Sequence, residues 1–381
     1  MAARRATMPE RLVLGWDVGG AHIKACLMER GEVLDVAQWA CPLWQGLDRL
    51  APVLQAARER WPGIGAAHHA ITMTAEMVDL FANREEGVRR IAAELARSLA
   101  AQSAAASESS VRESIHYFAG DAGWCHGSEV ADQWEAVASA NWLATARHAA
   151  LVLGDGLLVD IGSTTTDLVA FKAGRVPSQS RTDAQRLASG ELVYTGAVRT
   201  PLCALTRRIE WRGTAHNVMK EFFATSADVY RLTGELNPAH DLYPSADNAP
   251  KDLPATRQRL ARMVGLDERE GTGDDWLAFA RSWRQAQVAE LGSQLRQVIA
   301  AHGLGPEAVV LSAGCGDFLV NDVLESAGPP QPTPARRVVA YGRDVARVAA
   351  HASAGRDTVQ AWAQVCAPCV AVATLFELDS R

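Results

Sequence analysis

Two aspartates carry the strongest chemical signal in this chain. Asp17 and Asp160 each close an apolar run, and each is followed by a β-branched residue, a glycine and another small residue, Val18-Gly19-Gly20 and Ile161-Gly162-Ser163. A carboxylate ending a buried strand is costly unless it meets a cation or donors. Successive backbone N–H groups around Gly19-Gly20 and Gly162-Ser163 can form a concave anion nest, because little side chain stands between backbone and ligand. Asp-x-Gly-Gly alone is also a common hairpin signal. Its recurrence predicts two phosphate-sized cradles that face each other across one cleft.

The elements that must hold these cradles form a gapless repeat. Residues 14–33 read LGWDVGGAHIKACLMERGEV and residues 157–176 read LLVDIGSTTTDLVAFKAGRV. Each copy predicts a strand, a tight turn, a second strand, a turn at Gly31 or Gly174, and the start of a third strand. Further strands are expected at 68–72, 115–119, 309–312 and around Val338-Val339. Helical spacing of Leu50, Leu54 and Trp61, and of Val88, Ile91, Leu95 and Leu99, predicts two amphipathic helices. One helix is expected over 129–148, and a long one, capped by Asp274-Asp275, should run to His302. The small, polar stretch 101–110 reads as a loop, and Pro329, Pro330, Pro332 and Pro334 read as a linker. Pro238, Pro244, Pro250 and Pro254 mark an excursion or lid, and Pro368 reads as the first residue of the terminal helix.

Length and composition bound the class. The 381 residues leave room for two packed lobes, and 48% hydrophobic content suits a buried core. A net charge of −6 and no long basic stripe argue against nucleic acid as a partner. No run approaches the length of a membrane span, and the basic start of the chain lacks an apolar signal-peptide stretch, so a cytoplasmic protein without membrane attachment is expected. The seven cysteines are scattered and odd in number, which disfavours a disulfide framework. Cys366-Ala-Pro-Cys369 is a weak metal or redox signal. A phosphorylated small molecule is the expected partner, and a homodimer stays open.

Asp17-Val18-Gly19-Gly20 resembles the first phosphate loop of the actin, sugar kinase and Hsp70 superfamily. Asp160-Ile161-Gly162-Ser163-Thr164-Thr165-Thr166-Asp167 resembles its second phosphate loop, and the run through Gly314-Cys315-Gly316 resembles its nucleoside loop. The resemblance implies an α/β fold of two ribonuclease H-like lobes with a central cleft. The lobes are expected at 1–150 and 151–381, the latter with a Pro-rich insertion near 237–256. The second loop is similar to that of the hydantoinase A and oxoprolinase branch. The segments at 73–76, 139–144, 189–196, 199–201 and 221–230 resemble the family of tetrahydromethanopterin-linked one-carbon pathway proteins. Archaeal members of that family are similar to the enzyme joining an aminomethylfuran diphosphate to a glutamylated tyramine during methanofuran synthesis; methylofuran is the related bacterial product.

For this chain the resemblance implies a transferase that forms an aryl ether and releases diphosphate. The departing diphosphate would be met by the nests, by Lys24 directly after the first loop, and by Mg²⁺ held at Asp17 and Asp160. A base is needed for the phenol, whose ordinary pKa is about 10. Glu76, Asp167 and Glu191 are the candidates, although Glu76 equally suits a helix cap and Glu191 a turn. Gly19, Gly20, Gly162, Ser163, Thr164, Thr165, Gly314 and Gly316 would line the ligand. Arg199 and Arg207-Arg208 suit phosphate or carboxylate, or solvent. Glu221 and Asp228 are expected on one helix face, as an amine or metal site or a solvated flank, and His22 is more readily structural. The alternatives are an ATP-dependent kinase or ring amidase using the same loops, with ATP open as a ligand, and a redox protein with a cluster at Cys366 and Cys369.

Overall fold

A computed structural model describes residues 12–102, 113–328 and 336–380. The N-terminal basic segment, the Pro-rich linker and all but the first two residues of the loop expected at 101–110 lie outside them. The chain divides into two compact units, Met1–Val152 with Tyr341–Arg381, and Leu153–Ala340.

The first unit is built on β1 (Leu12–Val18), β2 (His22–Glu29), β3 (Glu32–Ala40), β4 (His68–Met73), β5 (Ile115–Phe118) and β6 (Trp124–Cys125). Their order is β3-β2-β1-β4-β5-β6, with β1-β2-β3 antiparallel and β4 and β5 parallel to β1. Leu14, Trp16 and Val18 share one face of β1 and pack with Leu50, Leu54, Val88, Ile91 and Leu95 from the helices Leu50–Arg60 and Arg84–Gln102. The helix Ala367–Asp379 covers the other face so closely that a Cβ on Gly15 would overlap the Cys369 carbonyl oxygen. Burial on both faces explains why β1 reads as an unbroken apolar run.

The second unit holds β7 (Gly156–Ile161), β8 (Thr166–Phe171), β9 (Leu192–Val193), the separate hairpin β10 (Arg208–Trp211) and β11 (Thr214–Asn217), then β12 (Val309–Ala313) and β13 (Val338–Ala340). Its main sheet runs β13-β12-β7-β8-β9, with β12 and β13 parallel to one another and to β7. Read from β9, this order repeats that of β3-β2-β1-β4-β5. Both units are therefore ribonuclease H-like α/β folds. The repeated turns match as well: Arg30 and Gly31, and Ala173 and Gly174, all have positive φ, as a two-residue hairpin turn requires.

Several expectations are corrected. Residues 341–381 belong to the first unit, because Val370, Val372, Leu375 and Phe376 bury their side chains there and Glu377 accepts a hydrogen bond from the Gly31 N–H at 2.5 Å. After Gly174 no third long strand forms; Pro177 removes a ladder donor, and the chain makes the helix Asp183–Ser189 before the two-residue β9. The helix expected at 129–148 is two, Trp134–Val137 and Asn141–Leu153, interrupted where Ser139 takes φ 50°. The long helix Gly273–Ala301 is capped by Thr272, whose hydroxyl accepts from the Asp275 N–H at 3.2 Å while Asp275 accepts from the Thr272 N–H at 2.8 Å. The terminal helix begins at Ala367, one residue before Pro368.

The Pro-rich stretch 237–256 is not a loose lid. Arg259, from the helix Leu253–Arg262, is fully buried and donates to Asp228 at 2.8 Å and to Asp247 and the Pro250 carbonyl at 3.2 Å. Arg231 bonds Asp228 at 2.7 Å and Asp241 at 2.6 Å, and Lys251 pairs with Asp241 at 3.0 Å. The stretch is thus clamped at Asp241 and Asp247.

Candidate functional site

Each repeated loop is a four-residue turn closing a hairpin. The Gly19 N–H donates to the His22 carbonyl at 3.0 Å, and the Gly162 N–H donates to the Thr165 carbonyl at 2.9 Å. The first donor of each expected nest is therefore consumed inside the turn. The N–H groups of Gly20, Ser163 and Thr164 donate to no carbonyl among the described residues and remain as the nest donors. In the first turn glycine is sterically required: a Cβ on Gly19 would stand 2.9 Å from the His22 carbonyl oxygen, and one on Gly20 would stand 2.7 Å from Val78 Cγ1. In the second turn a Cβ on Gly162 would stand 3.2 Å from the Thr165 carbonyl oxygen, a tight but milder contact.

In the first unit Asp17 is buried on the face of β1 that meets the terminal helix, and the Asn141 side-chain amide donates to it at 3.5 Å. Lys24 lies directly opposite Asp17 in the β1–β2 register, and its ammonium donates to the Val365 carbonyl at 3.2 Å. It stands at Asp17 rather than at the glycine turn. Glu76 is buried in the turn Ala75–Met77, accepts from the Ser139 hydroxyl at 2.7 Å and lies 3.6 Å from Arg84. Gly87 allows this approach, since a Cβ there would be 2.8 Å from Glu76 Cα. Glu76 thus holds Ser139 in its left-handed conformation at the break preceding Asn141. That is a positioning arrangement, and with a fully buried side chain Glu76 is not exposed as a base.

In the second unit Asp160 ends β7 beside the Gly314 turn. Gly314 has φ +87°, and a Cβ on it would overlap the Ile161 carbonyl oxygen and stand 2.6 Å from Asp160 Oδ1. The Gly316 N–H donates to the same Ile161 carbonyl at 2.8 Å. Asp167 faces Asp160 across β7–β8, and buried Arg186 donates to it at 2.7 Å. Ser163, Thr164 and Thr165 span the turn, with the Ser163 and Thr164 hydroxyls 3.5 Å apart.

Glu191 does not join this loop as a base. It is buried and accepts from Ser178 at 2.7 Å, from Ser189 at 3.0 Å and from His302 at 2.9 Å. Burial opposes its ionisation, but the hydrogen bonds from Ser178, His302 and Ser189 outweigh burial and hold the carboxyl below its ordinary range. Its stabilising effect is fully present above the unfolded glutamate pKa of about 4.3 and is lost as pH falls through the lower folded value. A Glu191→Gln variant is expected to lose roughly 2 kcal/mol near neutral pH. The gap from the parent should close as pH drops below about 4, as measured by urea unfolding across pH.

Glu221 lies outside the helix Ser226–Thr233 and is exposed, whereas Asp228 is buried in that helix's capping box and bound by Arg231 and Arg259. They share no helix face and form no amine or metal site. Cys366 and Cys369 are fully buried in the first unit, and burial pushes the Cys369 thiol well up. A cluster shared with another subunit does not fit sulfurs so enclosed. No group of three His, Cys, Asp or Glu side chains suited to a metal occurs among the described residues. Each of Asp17 and Asp160 is a single carboxylate in its own unit, a donor type suited to a cation that keeps most of its water, as Mg²⁺ does.

Sequence reasoning missed the shelf beneath the second loop. The N–H groups of Ala197, Val198 and Arg199 donate to the Gly162 and Ser163 carbonyls at 2.8–3.1 Å. A Cβ on Gly196 would stand 2.5 Å from Thr164 N and 2.6 Å from the Ser163 carbonyl carbon. Buried Gln287 donates to the Gly196 carbonyl at 3.0 Å and accepts from Tyr230 at 2.7 Å. One turn along, Glu290 accepts from Thr195 at 3.4 Å, and burial raises its carboxyl pKa. The only sequence signal was Gly196 closing an unusual run. Gly196→Ala is expected to displace the 162–165 turn and to lower turnover at least ~10²-fold, since misplacing a binding group by an ångström costs that much. Kinetics on variant protein that retains its circular dichroism would check this.

Two ribonuclease H-like units, each with a glycine turn after an aspartate strand, define an α/β protein of the actin and sugar kinase type. Over residues 68–352 the sequence matches the hydantoinase/oxoprolinase family, and the chain belongs to it. A Methanocaldococcus jannaschii protein named (4-{4-[2-(gamma-L-glutamylamino)ethyl]phenoxymethyl}furan-2-yl)methanamine synthase is 27% identical over 82% of this chain and 89% of its own length. A Methanococcus vannielii protein of the same name is 28% identical over 44% of this chain and 74% of its own. Among solved structures, nucleotide-free acetone carboxylase superposes with a TM-score of 0.51 at 12% identity, covering 81% of this chain and 66% of that one. No single helix among the described residues is long and apolar enough to cross a membrane.

Proposed function

We propose that the protein is a transferase of cofactor biosynthesis. It condenses an aminomethylfuran diphosphate with tyramine or glutamyl-tyramine and releases diphosphate, toward a methanofuran or methylofuran. The observation that carries this reading is the named synthase relative, which aligns over 82% of this chain and 89% of its own length.

The phenol oxygen forms a bond to the furfuryl CH₂ as the bond from that carbon to the diphosphate oxygen breaks. Diphosphate leaves with the bonding electrons, and the phenol proton passes to a base. Ring oxygen stabilises the cationic carbon, so the chief demand on the protein is to neutralise the leaving group. The N–H groups of Ser163 and Thr164 at the second turn are fixed dipoles suited to that task, and the Gly20 N–H at the first turn is a donor of the same kind. Asp160 at the second turn would offer a carboxylate to Mg²⁺, as would Asp17 at the first turn, and the ion would supply charge neutralisation when bound.

Of the three candidate bases Asp167 is the most accessible, with 15% of its side chain exposed against 0% for Glu76 and 3% for Glu191. Like any carboxylate it is a weak base toward a phenol of ordinary pKa about 10. A weak base suffices if carbon–oxygen bonding runs ahead of proton loss, because the oxonium formed is strongly acidic.

An ATP-using kinase or ring amidase is the second reading, favoured by the Gly314–Gly316 turn packed against Asp160. Diphosphate release measured with Mg²⁺, the furan diphosphate and the phenol, beside a tube with ATP alone, separates the two. Release that needs both organic substrates supports the transferase. Phosphate or ADP from the ATP tube, with no furan reaction, supports the alternative.

A further inference from the structure

We propose that Arg199 grips the diphosphate at the second loop, and that Tyr243, carried by the Pro-rich stretch, sets the direction of its guanidinium. The proposal rests on reading that loop as the diphosphate site. The backbone of Arg199 is locked beneath the loop by its N–H bond to the Ser163 carbonyl at 2.8 Å. From there the side chain rises to Thr164, whose hydroxyl accepts from Nη1 at 3.4 Å. A phosphate oxygen is a stronger, charge-assisted partner for this guanidinium than a neutral hydroxyl at that distance. The guanidinium lies over the Tyr243 ring, with its central carbon 5.7 Å from the ring centroid, within cation–π range.

The buried ion cluster supports this role. Buried ion pairs are a poor source of net stability, and their best-attested use is to fix one geometry. Here the two clamped aspartates bracket Tyr243 in sequence. Asp241 is held by Arg231 and Lys251, and Asp247 by Arg259 at 3.2 Å and Arg262 at 3.1 Å. What the cluster immobilises is the short connection that presents Tyr243 to Arg199. A planar fork held on an aromatic face can offer two N–H groups to a phosphate, which a lysine cannot.

The test is calorimetric binding of inorganic diphosphate with Mg²⁺ to the full-length protein, with thermal melting as the control for folding. Arg199→Ala should weaken binding ~10- to 100-fold, the range of a lost charge-assisted hydrogen bond, and Arg199→Lys should recover only part of it. Tyr243→Phe should bind within about twofold of the parent, while Tyr243→Ala should lose ~3- to 10-fold, because the ring and not the hydroxyl is required. In turnover assays the Tyr243→Ala loss should fall on KM for the diphosphate substrate more than on kcat. Diphosphate bound equally by the parent, Arg199→Ala and Arg199→Lys would overturn the proposal and leave the diphosphate reading standing. A parent that binds no diphosphate would overturn both. Tyr243→Phe as weak as Tyr243→Ala would overturn the orienting role of the ring.

Discussion

An Asp160→Asn protein should fold like the parent and lose about 10³-fold in the rate of diphosphate release. Asparagine has the same shape, so it fits beneath the Gly314 turn, which comes so close to the carboxylate that even a methyl group is excluded. What the change removes is charge at the end of β7, beside the Ser163 and Thr164 donors. Losing a cation ligand or one transition-state donor typically costs 10²–10³ in rate. Steady-state kinetics with Mg²⁺ titration is the check, and part of the loss should be recovered at high Mg²⁺. Asp17→Asn should behave in the same way. Full activity in both variants would remove the two aspartates from the chemistry.

The second large effect concerns stability. Arg259→Met should destabilise the protein by about 3–5 kcal/mol, because Asp228 and Asp247 lose a fully buried partner while Asp228 stays 1% exposed. The measurement is urea unfolding. Arg259→Met combined with Asp228→Leu should cost less than the sum of the two single variants, since both remove the same buried ion pair. A double variant worse than the sum of the singles would mean that packing, not charge, dominates there.

The repeat at 14–33 and 157–176 was legible because its determinants are local. An apolar strand, two glycines or a glycine and a serine, and a two-residue turn leave a pattern within a short window. Long-range packing does not. That Tyr341–Arg381 packs against β1 depends on the fit of Gly15 under Cys369, which no periodicity reports. The break at Ser139 depends on Glu76, distant in sequence, and was hidden inside a helical pattern. Glu191 read as a cleft carboxylate because Ser189-Gly190 and Tyr194 flank it; only the fold brings His302 to it. The shelf at Gly196 was likewise silent, because its meaning is the closeness of two backbones.

In the proposed reaction the protein breaks the bond between carbon and oxygen rather than one between phosphorus and oxygen. The most direct test uses a furan diphosphate labelled with ¹⁸O at the oxygen joining the furfuryl carbon to phosphorus, reacted with tyramine or glutamyl-tyramine and Mg²⁺. Mass spectrometry should find the label in the released diphosphate, and an unlabelled aryl ether. Label retained on a furfuryl alcohol or ether, with unlabelled diphosphate or phosphate, would mean phosphoryl transfer and would contradict the account.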